Sequence, residues 1–150
     1  MSDKKTVHRV LSDLVTASLN TLKNSLHDLE ISAANETKST AGDKYETALA
    51  MLQAEQVIVS NQIQQTKEQL ILIKTLDSHL NTSNVVIGSL IETESSYFYI
   101  STAVGKFMVL KNKPVFAISE LSPLGKILKG CKQHDTIILN NFNHHIIEVL

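Results

Sequence analysis

Residues 43–80 carry a heptad pattern of apolar side chains, which limits the possible folds more than any other feature of the chain. Seam positions recur at alternating steps of four and three residues up to Ile73, with two polar side chains among them, and the last position follows one heptad later. They are Tyr45, Leu49, Leu52, Gln56, Val59, Ile63, Thr66, Leu70, Ile73 and Leu80. No Gly or Pro interrupts the stretch, so the pattern predicts one helix about 57 Å long at about 1.5 Å per residue. A helix this long with a single apolar stripe requires a partner helix.

The partner helix is predicted over residues 7–34, where a second apolar stripe keeps steps of three and four. Its seam positions are Val7, Leu11, Val15, Leu19, Leu22, Leu26 and Leu29. Residues 33–42 are small and polar, which favours a turn. Asp43 followed by Glu46 resembles a capping box at the start of the second helix. The pattern therefore predicts an antiparallel coiled-coil hairpin over residues 1–80.

A compact polar linker at residues 81–84 (Asn-Thr-Ser-Asn) is the predicted domain boundary. After it the chain changes to short β-rich runs separated by brief turns. The predicted strands cover residues 85–91, 97–101, 107–110, 115–118, 136–139 and 145–150, with turns at 111–114 and 140–143. Runs this short with turns this brief predict an antiparallel sheet.

One short helix is predicted among the strands, over residues 123–129. Ser122 is a favourable N-cap, Pro123 suits the first helical position, and Gly130 suits the left-handed residue that follows a helix. An apolar face on this helix can pack on the sheet. The expected fold class is therefore α+β, with the hairpin followed by a sheet domain over residues 85–150.

Composition excludes several classes of function. The chain has 14 basic and 15 acidic residues and a net charge of −1, which argues against a general nucleic-acid or membrane-surface binder. The single cysteine, Cys131, cannot form an internal disulfide and suits a reducing cytoplasm. No apolar run approaches the roughly 20 residues of a membrane span, and the polar start indicates no signal peptide. All six lysines after residue 80 lie between Lys106 and Lys132, where they form solvated strand edges or face an acidic partner.

Two clusters of reactive residues lack the spacing of a catalytic or metal site. Cys131, His134 and Asp135 contain the residue types of a nucleophilic triad, but they are nearly consecutive and no protease signature surrounds them. Cys131 and His134 with His144 and His145 do not match the usual ligand spacing of zinc sites. The aromatic run at residues 97–99 lacks the interleaved basic residues of a nucleic-acid binder and fits a strand better.

Residues 120–137 read Glu-Leu-Ser-Pro-Leu-Gly-Lys-Ile-Leu-Lys-Gly-Cys-Lys-Gln-His-Asp-Thr-Ile. This segment resembles the C-terminal domain of the bacterial Gre transcript-cleavage factors, the GreA/GreB family. The residues in register are Ser122, Pro123, Leu124, Gly125, Leu128, Gly130, Lys132, Asp135 and Ile137, while His134 stands at a family glycine. Residues 85–90 and 146–150 resemble the first and last strands of that domain. Residues 45–48 and 53–56 resemble the start of the family's second coiled-coil helix.

The resemblance implies an FKBP-like C-terminal domain that docks at the mouth of the RNA polymerase secondary channel. Ser122, Pro123, Leu124 and Gly125 are the polymerase-binding residues that it implies. In the family, two carboxylates at the coiled-coil tip help to hold a magnesium ion at the polymerase active site. The implied partner is RNA polymerase, with nucleic acid contacted only through the elongation complex and no membrane.

The coiled-coil tip departs from the family. Lys38 and Ala41 stand where the family has its two carboxylates, and neither side chain can ligate magnesium. Glu36 and Asp43 are close in sequence and would replace the pair if the loop were rearranged. We expect no catalytic residue and no bound metal or cofactor of the chain's own, with magnesium at most shared with the polymerase.

Four functions remain open from the sequence. The first is a Gre-like regulator that occupies the polymerase channel with weak or no stimulation of cleavage, and the second is a competent cleavage factor with a rearranged tip. The third is an FKBP-fold prolyl isomerase, which needs an aromatic-lined pocket between sheet and helix. Trp is absent, and the Tyr and Phe side chains are expected to serve mostly as core. The fourth is a structural coiled-coil dimer.

Overall fold

The structure, a computed structural model, describes residues 3–36, 43–110 and 112–150, and the side chains within 43–45 are outside the description. Two long helices come first, followed by six strands and one short helix. These elements are α1 (Asp3–Glu36), α2 (Asp43–Thr75), β1 (Leu90–Thr93), β2 (Tyr97–Ser101), β3 (Gly105–Phe107), β4 (Val115–Ser119), α3 (Pro123–Leu128), β5 (Thr136–Leu139) and β6 (Phe142–Val149). The α+β class, with a helical hairpin preceding a sheet, is confirmed.

Contacts divide the chain into two compact units. The sheet unit consists of Met1–Asp13 with Ile71–Leu150, and the hairpin unit is Leu14–Leu70. The domains predicted from the sequence, 1–80 and 85–150 around a linker at 81–84, follow the order of elements along the chain. The division by contacts instead assigns the start of α1 and the end of α2 to the sheet unit.

The hairpin unit is held by the two predicted apolar seams. Val15, Leu19 and Ile63 are buried in it, and the other seam positions of this unit are at least partly buried wherever their side chains are described. The side chain of Gln56 donates a hydrogen bond to the main-chain oxygen of Leu29 across the seam, with Nε2 and O 3.3 Å apart. A polar seam residue with such a partner fixes the register of two helices.

Helix α2 ends at Thr75, five residues earlier than the heptad pattern predicts. Asp77 ends it, because its carboxylate accepts a hydrogen bond from the main-chain N–H of His79 at 2.9 Å. The main-chain oxygen of Asp77 accepts another from Leu80. Local side-chain bonds of this kind compete with the helix. Leu80, predicted as the last seam residue, lies beyond the helix and is 49% exposed.

The sheet has the strand order β3-β4-β2-β1-β6-β5. Its pairs are antiparallel except β2 with β4, which is parallel. The prediction of an antiparallel sheet is therefore wrong for this one pair. After β2 the chain passes to the edge of the sheet and forms β3. Strand β4 then returns and lies between β2 and β3. A brief turn explains the antiparallel pairing of β3 with β4, but it does not explain the parallel pairing of β4 with β2.

The bounds of four predicted strands differ from the structure, although β4 differs only by ending at Ser119 instead of residue 118. Residues 85–89 are not in a strand: Val85 exchanges main-chain hydrogen bonds with Cys131 and Gly130, and Gly88, with φ 90°, forms a turn. Strand β1 therefore begins at Leu90. Strand β3 covers 105–107 instead of 107–110.

Strand β6 begins at Phe142 instead of residue 145. The turn before it has two residues, Asn140 and Asn141, with φ values of 51° and 66°. Two positive φ values match the twist of a two-residue hairpin, and Asn tolerates them better than other side chains.

Both faces of the sheet are covered within the sheet unit. One face contributes to a core that includes Leu128 of α3. The buried members of this core are Val85, Ile91, Phe98, Ile100, Leu128, Ile137 and Ile146. The strand register places Leu90, Tyr99 and Ala117 on the other face. All three are buried, as are Val7 and Leu11 of α1 and Ile73 of α2.

Candidate functional site

The segment with the family resemblance forms α3 and the turn before it. The hydroxyl of Ser122 accepts a hydrogen bond from the main-chain N–H of Gly125 at 3.0 Å and donates one to the oxygen of Ser119 at 2.7 Å. Pro123 occupies the first helical turn, where its missing N–H costs nothing. The helix ends at Leu128, one residue before the predicted end, and Gly130 follows with φ 82°. The predicted cap residues therefore have the expected structural roles.

Gly125 is required by a close approach of main chain. A Cβ atom at this position would lie 2.1 Å from the main-chain oxygen of Ser119 and 2.9 Å from the Cα of Glu120. Leu124 packs against the core. Of the four residues that the resemblance assigns to polymerase binding, Ser122, Leu124 and Gly125 thus shape and anchor α3, while Pro123 is exposed.

Around Pro123 the outer side of α3 and its flanks combine apolar and basic side chains. Leu121 is 74% exposed and Ile127 is 41% exposed. Lys126 and Lys129 are also exposed. We call these five residues the α3 surface. Neither lysine forms an ion pair with a carboxylate in the described part of the chain. The sequence predicted that Ile127 packs on the sheet with the apolar face of α3, and its exposure corrects that prediction. This surface could contact an acidic partner that also offers apolar area.

The predicted coiled-coil tip is only partly within the description. Glu36 is the last residue of α1 and is half-buried, and Asp43 is the first residue of α2. Lys38 and Ala41 lie outside the described residues. Near Glu36, an open cavity of about 310 Å³ in the hairpin unit is lined by Ser32, Glu36, Ala48, Met51, Leu52 and Glu55.

The donors available at the tip do not match a magnesium site of the family kind. The side chains at positions 38 and 41 offer an ammonium and a methyl group instead of two carboxylates. Over residues 3–36, 43–110 and 112–150, no group of three His, Cys, Asp or Glu side chains is placed to hold a metal ion. We therefore derive no chemical step through magnesium held by this chain.

The structure gives Cys131, His134 and Asp135 separate structural roles. The thiol of Cys131 donates to the oxygen of Ile127 at 3.3 Å, and burial, with a further contribution from Asp135, raises its pKa. A raised pKa opposes formation of the nucleophilic thiolate. The carboxylate of Asp135 accepts a hydrogen bond from the main-chain N–H of Lys132 at 2.8 Å. These contacts do not assemble a nucleophile, a base and an orienting acid.

His134 occupies a backbone conformation that explains the family glycine at this position. Its φ is 73°, a value that L side chains rarely adopt, although Asn, Asp and His adopt it more often than the others. Its main-chain N–H donates to the oxygen of Ile146 at 2.8 Å, and its ring stacks with that of His145 at 6.1 Å. The histidine is therefore held in a position that favours glycine.

His134→Val is expected to lower the free energy of unfolding by about 1–2 kcal/mol, because a β-branched side chain is poorly tolerated at positive φ. The control, His134→Gly, should leave stability unchanged or raise it by up to about 1 kcal/mol, since it removes the strain but gives the unfolded chain more freedom. Urea unfolding monitored by circular dichroism measures both. A glycine variant less stable than the unmodified chain by more than about 1 kcal/mol would contradict this expectation and show that the ring contact with His145 outweighs the backbone strain.

The aromatic run of β2 faces the protein interior. Tyr99 is fully buried, and burial raises the pKa of its phenol. Phe98 is buried and stacks on Phe116 with ring centroids 5.7 Å apart. Tyr97 is half-buried, with the ammonium of Lys113 lying 5.6 Å from its ring centroid. The run is therefore not an exposed platform for stacking bases.

Two of the aromatic rings also line a cavity, which the sequence argument did not anticipate. The cavity is open, has a volume of about 460 Å³ and lies beside the α3 face of the sheet. It is lined by Ser95, Ser96, Phe98, Pro114, Phe116, Ile118, Leu124, Leu139 and His144. The expectation that the aromatic side chains serve mostly as core is thus incomplete for Phe98 and Phe116, which also line this cavity.

A buried polar cluster at the start of α1 was missed from the sequence. Lys4 is only 4% exposed, and its ammonium donates to the main-chain oxygens of Leu80 and Leu150. Nδ1 of His8 lies 2.7 Å from the hydroxyl of Tyr99. Burial lowers the pKa of Lys4, partly opposed by Asp77, and burial together with Lys4 lowers the pKa of His8. The sequence contains one sign of this cluster: Lys4 and His8 are four residues apart, which places them on the same side of a helix, beside the apolar stripe.

Comparisons with known proteins give little beyond the fold description. No family model matches the chain, and no curated protein matches it. A solved structure described as that of the transcription factor Gfh1 is similar, with 17% sequence identity over 92% of each chain and a TM-score of 0.38. A likeness at this level is too weak to carry an inference about function. Among the described residues, no helix combines the length and the apolar character needed to cross a bilayer.

Proposed function

We propose that this chain is a Gre-like regulator that binds RNA polymerase at its secondary channel and modulates elongation. The observation that carries the proposal is the agreement between the resemblance and the construction of α3. Ser122 caps the helix and Gly125 admits the close main chain, so the matched residues are those that build this local structure. Pro123 remains exposed at its start, available for docking.

Charge on the α3 surface supports a protein partner of acidic character. Lys126 and Lys129 are exposed and unpaired among the described residues. The whole chain nevertheless has a net charge of −1, so its basic character is local. Local charge of this kind steers a specific encounter, whereas general binding to nucleic acid requires an overall basic excess.

We propose further that the coiled coil of residues 1–80 enters the channel while the domain of residues 85–150 docks. A protein bound in this way works in the cytoplasm with its polymerase. Any RNA cleavage is carried out by the polymerase active site, not by this chain. Because Lys38 and Ala41 replace the family carboxylates, stimulation of cleavage is weak or absent.

Pro123→Glu is expected to weaken binding to core RNA polymerase about tenfold, or by about 1.4 kcal/mol. The change places a negative charge on the α3 surface, while an acidic residue in the first turn of a helix is compatible with folding. Binding is measured by pulldown and by titration with a labelled chain. Ala103→Glu is a matched control, since it changes the charge equally at an exposed position outside the α3 surface.

Unchanged affinity of a folded Pro123→Glu variant would remove α3 as the docking element. The unmodified chain must also bind polymerase at all. If it does not, the isomerase and the structural coiled-coil dimer become the functions to pursue, because neither requires polymerase.

A further inference from the structure

Strand β5 forms one edge of the sheet and pairs only with β6. Asp135, just before β5, accepts a main-chain hydrogen bond from Ile146 at 2.8 Å. Because main-chain groups of a strand alternate in direction, the odd-numbered residues of β5 face β6. Thr136 and Ile138 therefore direct their N–H and C=O groups away from the sheet. In the described part of the chain, these groups form no hydrogen bond with another segment.

The β5 edge lacks the charged side chains and the Pro that often prevent strands from pairing between molecules. Its sequence, Thr-Ile-Ile-Leu, has no charge and no Pro, and Ile138 is 67% exposed. The opposite edge differs: β3 has three residues, carries the exposed Lys106 and begins at Gly105 with φ 95°. Strand β5 is also short, at four residues, but it lacks the edge lysine that discourages pairing, and an exposed apolar edge invites it.

We propose that β5 pairs antiparallel with β5 of a second copy of this chain, about a twofold axis at Ile137. In this register Thr136 lies opposite Ile138 of the second copy, and each such pair exchanges both of its main-chain hydrogen bonds. The two Thr136–Ile138 pairs lie on one face, so the exposed Ile138 side chains gain neighbours. The outward main-chain groups of β5 are thereby satisfied.

A second copy fits this edge because the arrangement is self-complementary. Between residues 133 and 143, Asp135 is the only carboxylate or lysine. The proposed register places it opposite Leu139 of the second copy, so no like charges face each other across the strands. Each copy has one edge of this type, and a twofold contact uses both, so the assembly closes as a dimer and not as a filament. The proposal is independent of polymerase binding.

Sedimentation of the full chain over a wide concentration series tests the proposal. The unmodified chain should pass from monomer to dimer as concentration rises, and Ile138→Lys should abolish the dimer. Met108→Lys is the matched control, because Met108, at 62%, is about as exposed as Ile138 but lies outside β5 and outside the α3 surface; it should dimerise like the unmodified chain. Circular dichroism checks that each variant is folded.

Hydrogen exchange on the unmodified chain locates the contact without a substitution. The amides of Thr136 and Ile138 should exchange more slowly in the concentrated sample than in the dilute one. A monomer at every concentration overturns the proposal and leaves the edge for a strand of another protein. A dimer that survives Ile138→Lys, or that leaves these two amides equally fast in both samples, also overturns it.

Discussion

Gly125→Ala is expected to destabilise the sheet unit by about 3 kcal/mol, at the upper end of the usual cost of overpacking. The added Cβ would lie 2.1 Å from the oxygen of Ser119 and 2.9 Å from the Cα of Glu120. Both atoms belong to main chain, so no side-chain rotation can relieve the clash. Helix α3 must move away from the turn that precedes it, which loosens the packing of Leu128 in the core.

Urea unfolding of the full chain measures this loss. Lys126→Ala, one residue further along α3, is the control: its side chain is exposed, so stability should change by no more than about 0.5 kcal/mol. Equal stability of Gly125→Ala and the unmodified chain would show that α3 shifts without cost. In that case the glycine would have to be explained by a contact with a partner and not by the close main chain.

The double change Lys38→Asp with Ala41→Glu is expected to raise transcript cleavage about tenfold or more, equivalent to a barrier lowered by at least about 1.4 kcal/mol. Two carboxylates would give magnesium the oxygen ligands that it requires. The change also removes a lysine, which would repel a nearby cation by about 1 kcal/mol per unit charge at 4 Å in water. The yield of 3′-cleaved RNA from a backtracked polymerase complex is the measurement.

Lys38→Gln with Ala41→Gln is the matched control, because it removes the lysine and adds polar side chains of similar size without carboxylates. It should leave cleavage as weak as with the unmodified chain. Strong stimulation of cleavage by the unmodified chain, lost on Glu36→Ala or Asp43→Ala, would contradict the prediction. The tip would then be rearranged and active, and the proposed regulator would be a cleavage factor.

The elements that could be predicted from the sequence are those set by neighbours along the chain. The heptad steps identified both long helices, because a stripe of this period fits only a helix with a partner. Ser122, Pro123 and Gly130 marked α3 to within one residue, because capping depends on a few adjacent main-chain groups. Pro123 within this motif is exposed in the structure, and its role in polymerase binding stays a prediction.

The features that could not be predicted depend on residues far apart. The parallel pairing of β2 with β4 follows from the return of β4 beside β2, which no local pattern records. Residues 85–89 have a strand-like sequence, but Val85 bonds to Cys131 and Gly130 instead. The exposure of Leu121 and Ile127 likewise depends on how α3 packs, so the apolar part of the α3 surface emerged only with the structure.

The hydrogen bond from Lys4 to Leu150 joins residues 146 positions apart in the sequence, and this separation has a consequence for synthesis. As the chain leaves the ribosome, the hairpin unit has all its residues long before β6 exists. The sheet unit is complete only when β6 has been made. Val7 and Leu11, which belong to this unit, therefore reach their fully buried positions only after that point. Contacts between distant residues also slow folding, because a long loop must close before they form. During that interval the apolar side chains of Val7 and Leu11 are available to a chaperone.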